Sequence, residues 1–192
     1  MKTDNLQSVR KIVMTGLLAA MSFVLFLFPK FSLLPGFAWL EIDFSDVPAL
    51  LAAVTLSPVS GLLVVFIKNL IHLAVSHTGM IGELSNFLIG GVFVLAAGLL
   101  HRTAFRGEGF RKVVFSVAVG AVFQVIAGVL VNYFIMVPLY AAFVNFEELG
   151  GAGYYIAAGV VPFNVVKDVL VGVVFLALYR LIRKPIQTII HK

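Results

Sequence analysis

Long apolar stretches alternate with short polar segments along most of this chain. Residues 12–29, 47–67 and 113–146 contain no charged side chain, and residues 149–179 contain only Lys167 and Asp168. A transmembrane helix needs about 20 consecutive, mainly apolar residues. The strands of a membrane β-barrel are shorter and alternate in polarity, which these stretches do not. The pattern therefore predicts an all-α integral membrane protein.

Charge placement divides the chain into spans. A single span over 47–67 would separate the basic segment 102–112 from Lys2, Arg10 and Lys11. A break at Ser57-Pro58 instead puts these basic clusters on one side, as the positive-inside rule requires. We therefore predict one membrane domain over 1–192, with both termini cytoplasmic and six transmembrane helices at about 12–29, 46–57, 59–76, 83–100, 113–138 and 154–181. The second helix, at about 18 Å, is too short to cross the bilayer unaided.

Composition supports this class and excludes several others. The chain is 61% hydrophobic and 12% charged, and its net charge of +5 comes from basic residues that flank apolar runs, which favours membrane orientation over nucleic-acid binding. The absence of cysteine excludes disulfides, thiolate metal sites and cysteine nucleophiles. The first apolar run ends in FLFP at 26–29, which is bulky where a cleaved signal peptide has small residues. We interpret this run as a retained helix.

The predicted last helix carries a polar cluster within apolar sequence. Asn164, Lys167 and Asp168 are spaced i, i+3 and i+4, so they share one helical face. An ionisable group at such depth costs about 2.5–3.5 kcal/mol and usually faces a cavity or a partner. The cluster is therefore a candidate site. In the alternative interpretation, Lys167 and Asp168 neutralise each other and Asn164 only bonds a neighbouring helix.

The predicted third and first helices each carry a pair of residues that has two interpretations. Lys68 and His72, at i and i+4, suit a metal or proton site, but lysine is a poor metal ligand, so bonding between helices or snorkelling is favoured. Gly16 and Ala20 form a strip of small residues on the first helix. Such a strip allows another helix to approach closely, either inside the bundle or from a partner.

In this topology several polar groups converge on the outer side. Glu83 and Asn86 begin the fourth helix, Asn132 lies in the outer half of the fifth, and Asn164 and Lys167 lie in that of the sixth. The loop 30–46 is on the same side, as a lid or as an interfacial aromatic anchor through its tryptophan. An apolar pocket with a few donors and acceptors suits a flat, heteroatom-rich small molecule. Motifs for ATP binding, serine hydrolysis or zinc proteolysis are absent, so we do not expect an enzyme.

Four motifs together resemble a transporter family. They are WLEIDFSDVP at 39–48, the pair Lys68-Asn69, ELSNF at 83–87 and NVVK at 164–167. The chain resembles the substrate-binding S components of energy-coupling factor (ECF) vitamin transporters, in particular the riboflavin-specific members. The resemblance covers essentially the whole chain, including its six-span plan. It implies a multi-pass protein of the bacterial cell membrane.

The resemblance also implies a ligand and partners. The transported ligand would be riboflavin, with no cofactor, and the partners would be a membrane coupling protein and two cytoplasmic ATPases. The family's binding positions correspond to Glu83, Asn132, Asn164, Lys167 and, as apolar cover in the loop, Leu40. Gly16 and Ala20 would dock the coupling protein, although the family usually has two alanines there.

A stand-alone, proton-coupled secondary transporter is the alternative. In that interpretation Lys68, His72, Lys167 and Asp168 form a proton relay. Inverted repeats would favour it, and the sequence has no convincing internal repeat.

Overall fold

The computed structural model describes residues 2–76, 80–103 and 109–191 and is mainly helical. The helices are α1 (Lys2–Leu27), α2 (Asp46–Thr55), α3 (Pro58–His72), α4 (Ile81–Thr103), α5 (Phe110–Val131), α6 (Val137–Tyr140), α7 (Ala152–Tyr154) and α8 (Val161–His191). A π-helical turn, Asn132–Met136, joins α5 to α6, and another, Tyr155–Val160, joins α7 to α8. A 3₁₀ turn, Leu73–Val75, extends α3. The described residues therefore form six main helical segments.

This architecture confirms a mainly helical fold with six helical segments, whereas a transmembrane course for all six stays a prediction. Within the described residues, four segments are long and apolar enough to cross a membrane: Leu6–Leu27, Pro58–Val75, Ile81–Thr103 and Phe110–Tyr140. α2 has only ten residues. The cytoplasmic location of both termini stays a prediction.

The apolar run 47–67 is divided into two helices by a cap at Ser57. The Ser57 Oγ accepts a hydrogen bond from the Ser60 amide at 3.0 Å, and Pro58 occupies the first turn of α3. Both are common signals for a helix start. Every residue from Asp46 to Val54 is buried, so the short α2 is enclosed by α1, α3, α4 and α8. The protein itself thus surrounds a helix that could not span the bilayer alone.

The structure differs from the sequence prediction at two places near the N-terminus. α1 begins at Lys2 rather than at residue 12, because a helix satisfies its own backbone hydrogen bonds and can continue past the apolar layer. The segment 30–46, predicted as a loop, contains a short antiparallel hairpin of β1 (Phe31–Ser32) and β2 (Glu41–Ile42). Two residues per strand are too few for alternation to predict them.

Pro138 of α6 and Pro162 of α8 each follow a π-helical turn. Pro138 and Pro162 lie two residues after the turns Asn132–Met136 and Tyr155–Val160. Proline removes one helical hydrogen bond and crowds the carbonyl four residues earlier, and a wider turn accommodates both effects. The fifth span was predicted to end at about residue 138, and the helix continues to Tyr140.

Small residues set the distance between the central helices. A Cβ on Gly61 of α3 would lie 2.5 Å from the Ala53 Cβ of α2 and 2.6 Å from the Val94 Cγ1 of α4. Such close approach is a common feature of helix packing in membranes. Any side chain at residue 61 would therefore push three helices apart.

Gly61→Ala should lower the unfolding free energy by about 1–3 kcal/mol because it overpacks this contact. Thermal unfolding of the detergent-purified protein would measure the effect. Gly16→Ala is the matched control, since a Cβ at that position would have no other atom within 4 Å. Equal stability of the two variants would contradict the packing argument.

Candidate ligand-binding site

A cavity lies between the segment 30–46 and the inner faces of α3, α4, α5 and α8. It brings together all five residues predicted to bind the ligand. They are Leu40, Glu83, Asn132, Asn164 and Lys167. The wall also includes groups not predicted as ligand contacts, namely Trp39, Asp43, Asp46, His72, Gln124 and Tyr155. Loop and helices thus enclose one polar site within an apolar bundle.

The two asparagines of the cavity are held in the same way. Asn132 Nδ2 donates to the Gly128 carbonyl and Asn164 Nδ2 to the Val160 carbonyl, both at 2.8 Å. The Tyr155 hydroxyl also donates to Asn132 Oδ1 at 3.2 Å. A Cβ on Gly128 would lie 2.8 Å from Asn164 Nδ2, so this glycine makes room for the amide. The fixed amides still have hydrogen-bonding capacity for a ligand, since each nitrogen carries two protons.

Glu83 is joined to α3 through His72. The His72 Nδ1 and Glu83 Oε1 atoms lie 2.6 Å apart, and both side chains are buried. The imidazole also packs on Phe26 of α1, with ring centroids 4.3 Å apart. The predicted preference for contacts between helices over a metal site is therefore confirmed for His72. Among the residues described, no group of three histidine or carboxylate side chains is placed to hold a metal.

Two buried lysines meet two buried aspartates beside the cavity. Lys68 Nζ lies 2.6 Å from Asp46 Oδ1, while Lys167 Nζ lies 3.0 Å from Asp43 Oδ2 and 3.6 Å from Asp46 Oδ2. All four side chains are at most 6% exposed. We call Asp43, Asp46, Lys68 and Lys167 the ion-pair cluster. It joins the end of the segment 30–46 and the start of α2 to α3 and α8.

Ser45 completes the ion-pair cluster. It accepts from Lys68 Nζ at 2.5 Å, and both its amide and its hydroxyl donate to Asp43 Oδ1. The Ser45 carbonyl in turn accepts from the Ser22 hydroxyl of α1 at 2.6 Å. Burial raises the pKa of Asp43, but Lys167, Lys68 and Ser45 outweigh it and lower the pKa to about 2. Asp43 is therefore ionised at neutral pH.

The ion-pair cluster excludes one interpretation of the polar residues on the last helix. The interpretation that Lys167 and Asp168 neutralise each other is wrong, because Lys167 bonds Asp43, 124 residues earlier in the chain. Adjacent residues on a helix point about 100° apart, so they are poorly placed to pair. Neither carboxylate oxygen of Asp168 has a hydrogen-bond partner among the described residues.

Aromatic rings hold the segment 30–46 over the cavity. Phe37 and Trp39 pack on Tyr155, with centroid distances of 5.6 and 6.2 Å, and Phe146 packs on the same ring at 5.2 Å. Phe37 also lies against Gly159, where a Cβ would meet its ring at 3.3 Å. The segment therefore forms one wall of the cavity. This placement supports the lid interpretation over a purely interfacial anchor.

Gly16 and Ala20 lie outside the cavity, on the exposed face of α1. A Cβ on Gly16 would have no other atom within 4 Å. The alternative that these residues pack inside the bundle is therefore wrong. Their neighbours on this face, Val13, Leu17 and Val24, are each more than half exposed, so the face is apolar.

The sequence reasoning missed Asp43 and Asp46 as partners of the lysines. A signal was present, since Lys68 lies in a span without a carboxylate and buried lysines require one. The loop 30–46 was predicted only as a lid or an aromatic anchor, and its acidic residues were not matched to the lysines. Tyr155 was also missed, because an aromatic residue in an apolar helix gives no sign of its hydrogen bond.

The family model of the ECF transporter substrate-specific component matches residues 10–179. The chain belongs to this family. As an S component it is a multi-pass membrane protein of bacteria, and the six-helix fold and the resemblance inferred from its motifs are confirmed.

Its relatives agree with this assignment. The S component is 32% identical to the riboflavin transporter RibU of Staphylococcus aureus strain TCH60, over 92% of each chain. It is 33% identical to the riboflavin transporter FmnP of Bacillus subtilis strain 168, over 87% of this chain and 88% of that one. A solved structure titled as the S component of a bacterial ECF transporter matches with a TM-score of 0.77 at 31% identity, over 92% of this chain and 97% of that one. These relatives are transporters and not enzymes.

Breaking the ion-pair cluster should destabilise this S component strongly. Lys68→Met leaves Asp46 buried without its nearest cation, which should cost about 3–5 kcal/mol of unfolding free energy. The double variant Lys68→Met/Asp46→Asn should recover much of that loss. Thermal unfolding in detergent would measure both.

Lys30→Met is the control for loss of charge at the surface. Lys30 pairs with Glu41 at 3.3 Å, but both side chains are partly exposed. Its removal should cost under about 1 kcal/mol. Similar losses for Lys30→Met and Lys68→Met would refute the special role of the buried pair.

Proposed function

We propose that this S component binds riboflavin in the cavity under the segment 30–46 and delivers it across the membrane with an ATP-driven coupling complex. The observation that carries the proposal is the convergence of Leu40, Glu83, Asn132, Asn164 and Lys167 on one cavity. These side chains come from four separate parts of the chain, so their meeting is not a consequence of local sequence. The names of the relatives as riboflavin transporters support the choice of ligand.

The cavity chemistry suits a flavin. The isoalloxazine ring is flat, with an apolar dimethylbenzene end and a pyrimidine end rich in carbonyl and imide groups. Asn132 and Asn164 offer donors and acceptors for such an edge. Trp39 and Tyr155 provide aromatic surface, and Leu40 covers the ring from the loop side. Glu83 offers an acceptor for a ribityl hydroxyl.

Charge balance also favours an uncharged ligand. Lys167 is already engaged by Asp43 and Asp46, so its ammonium is not left as a free counter-ion for an anion. The ammonium can donate three hydrogen bonds, and one of them goes to Asp43 at 3.0 Å, while Asp46 lies farther away at 3.6 Å. A neutral riboflavin carbonyl or hydroxyl is a suitable further acceptor.

The energy source lies outside this chain. The sequence has no phosphate-binding loop for ATP. A membrane coupling protein with two cytoplasmic ATPases would supply the energy, and the exposed small residues Gly16 and Ala20 would let a helix of the coupling protein approach α1 closely. With both termini cytoplasmic, the cavity opens to the outer side. Riboflavin would enter there and be released inward when the bound S component reorients.

Riboflavin fluorescence titrated with the detergent-purified protein tests the ligand. Saturable quenching at about one flavin per chain is the expected result, since aromatic side chains close to the ring quench its emission. A folded, flavin-free sample that causes no quenching would refute riboflavin as the ligand. A panel of other vitamins would then be titrated in the same way.

Asn164→Ala and Lys167→Ala should each weaken riboflavin binding by about 1–3 kcal/mol, because a polar group of the bound ligand loses its partner. The same titration measures the affinities. Asn145→Ala is the matched control, since Asn145 is exposed and bonds only Glu148 and the Glu147 amide in the described contacts. Unchanged affinity in both cavity variants would remove them from the site.

Gly16→Leu and Ala20→Leu should preserve riboflavin affinity and impair assembly with the coupling complex. The larger side chains would hold the partner helix away from α1. Co-purification with the coupling protein and ATPases measures assembly. Val122→Leu, which enlarges an exposed residue of α5, is the control. Normal assembly of both α1 variants would assign docking to another face.

A further inference from the structure

Asp168 is a buried carboxyl group that the proposed binding site does not use. It lies on α8, one helical turn beyond Asn164, and is 5% exposed. Neither of its oxygens has a hydrogen-bond partner in the part of the chain that the structure describes. A buried acceptor without a donor is costly, and an unpaired buried carboxylate is more so. The group therefore needs either a donor or a proton.

Gln124 of α5 also has a buried acceptor without a donor. Its side chain is 2% exposed and lines the cavity, and its Oε1 atom is buried without a hydrogen-bond partner in the described residues. Gln124 thus also lacks a donor, for its amide oxygen.

Helix register brings these two residues to the same level. Gly128 of α5 lies against Asn164 of α8, and Val117 of α5 lies against Gly172 of α8, so the two helices run antiparallel. Gln124 lies four residues before Gly128, and Asp168 lies midway between Asn164 and Gly172. Residues four apart share a helical face. Asp168 and Gln124 therefore lie on facing sides of α5 and α8, one turn below Asn164.

The surrounding charges leave one carboxylate without a counter-ion. α2 and the preceding segment supply Asp46 and Asp43, α3 supplies Lys68, and α8 itself supplies Lys167. α5 contributes the neutral Gln124 at this level, and the charged residues of α1 lie near its N-terminus. The ion-pair cluster and Asp168 together contain three carboxyl groups and two ammonium groups. One additional positive charge would make it neutral.

We propose that Asp168 is a proton-binding site and that its carboxyl O–H donates to Gln124 Oε1. A single proton taken from solvent then balances the charge, turns one Asp168 oxygen into a donor and gives Gln124 Oε1 its missing partner. It also fixes the Gln124 amide so that Nε2 presents a donor to the cavity. We call the part of the cavity wall that Gln124 forms the cavity floor. When Asp168 loses the proton, two acceptors face each other, and the amide turns to donate to the carboxylate. The floor then presents an acceptor instead.

The proton therefore sets the hydrogen-bonding polarity of the cavity floor. The pyrimidine edge of a flavin is richer in acceptors than in donors, so ligand binding should favour the protonated state. This consequence rests on the proposed riboflavin binding, whereas the proton site itself does not. The two are tested by separate measurements.

Infrared spectroscopy of the ligand-free protein at neutral pH tests the proton site directly. A protonated carboxyl has a C=O stretching band above the amide I region, and that band shifts in heavy water. Asp168→Asn should remove such a band, and Glu148→Gln, in an exposed loop, should not. An unchanged spectrum in the Asp168 variant would overturn the proposal, since Asp168 would then be ionised. Because no riboflavin is present, this result does not depend on the ligand.

Riboflavin affinity as a function of pH tests the consequence. Wild-type affinity should fall about tenfold between about pH 6 and pH 9, the value of one hydrogen bond lost at the floor. Asp168→Asn keeps a donor for Gln124 Oε1 at every pH, so its affinity should stay within about twofold of the wild-type value at pH 6. Glu148→Gln should follow the wild-type profile. Parallel profiles for wild type and Asp168→Asn would overturn the link between the proton and the cavity.

Discussion

The structure depends on placing two lysine ammonium groups inside an apolar bundle. Lys68 of α3 and Lys167 of α8 are almost fully buried, and each needs a carboxylate within reach. Asp43 and Asp46 supply these carboxylates from the point where the segment 30–46 becomes α2. This requirement fixes the depth of α2 and the position of the preceding segment. The same contacts position the segment 30–46 as one wall of the cavity.

The rest of the cavity shows how polar side chains are stabilised without water. Asn132 and Asn164 each donate to the carbonyl of their own preceding turn. Asn132 begins one π-helical turn, and Val160, the acceptor for Asn164, ends the other. Such turns occur frequently at functional sites. The amides are thereby oriented before a ligand arrives. Preorganisation of this kind reduces the entropy lost on binding.

Sequence reasoning found the architecture because its signals are local. Ser57 and Pro58 mark a helix start, and charge placement required a break there. The spacing of Asn164 and Lys167 indicated a candidate binding face in the same way. The partners of the lysines were not predictable, because Lys167 bonds a residue 124 positions away and several loop acids were equally available. Pairing across such a distance is determined only by tertiary packing.

Resemblance to a family supplied what local signals did not. The predicted topology put Glu83, Asn132 and Asn164 on one side of the bundle, and the resemblance predicted that they bind one ligand. The short hairpin at Phe31–Ser32 and Glu41–Ile42 and the π-helical turns were beyond both kinds of reasoning. The hairpin has no periodicity to detect, and the turns depend on how the prolines that follow are accommodated.

The enclosure of α2 has a consequence for how the protein is made. A segment of ten residues that begins with an aspartate is too short to be inserted across a bilayer as an independent helix. The longer helices can enter the membrane one at a time, but α2 reaches its position only when they surround it. Biogenesis therefore ends with a step of folding within the membrane. That step completes the cavity, so the capacity to bind a ligand arises only when the whole bundle has assembled.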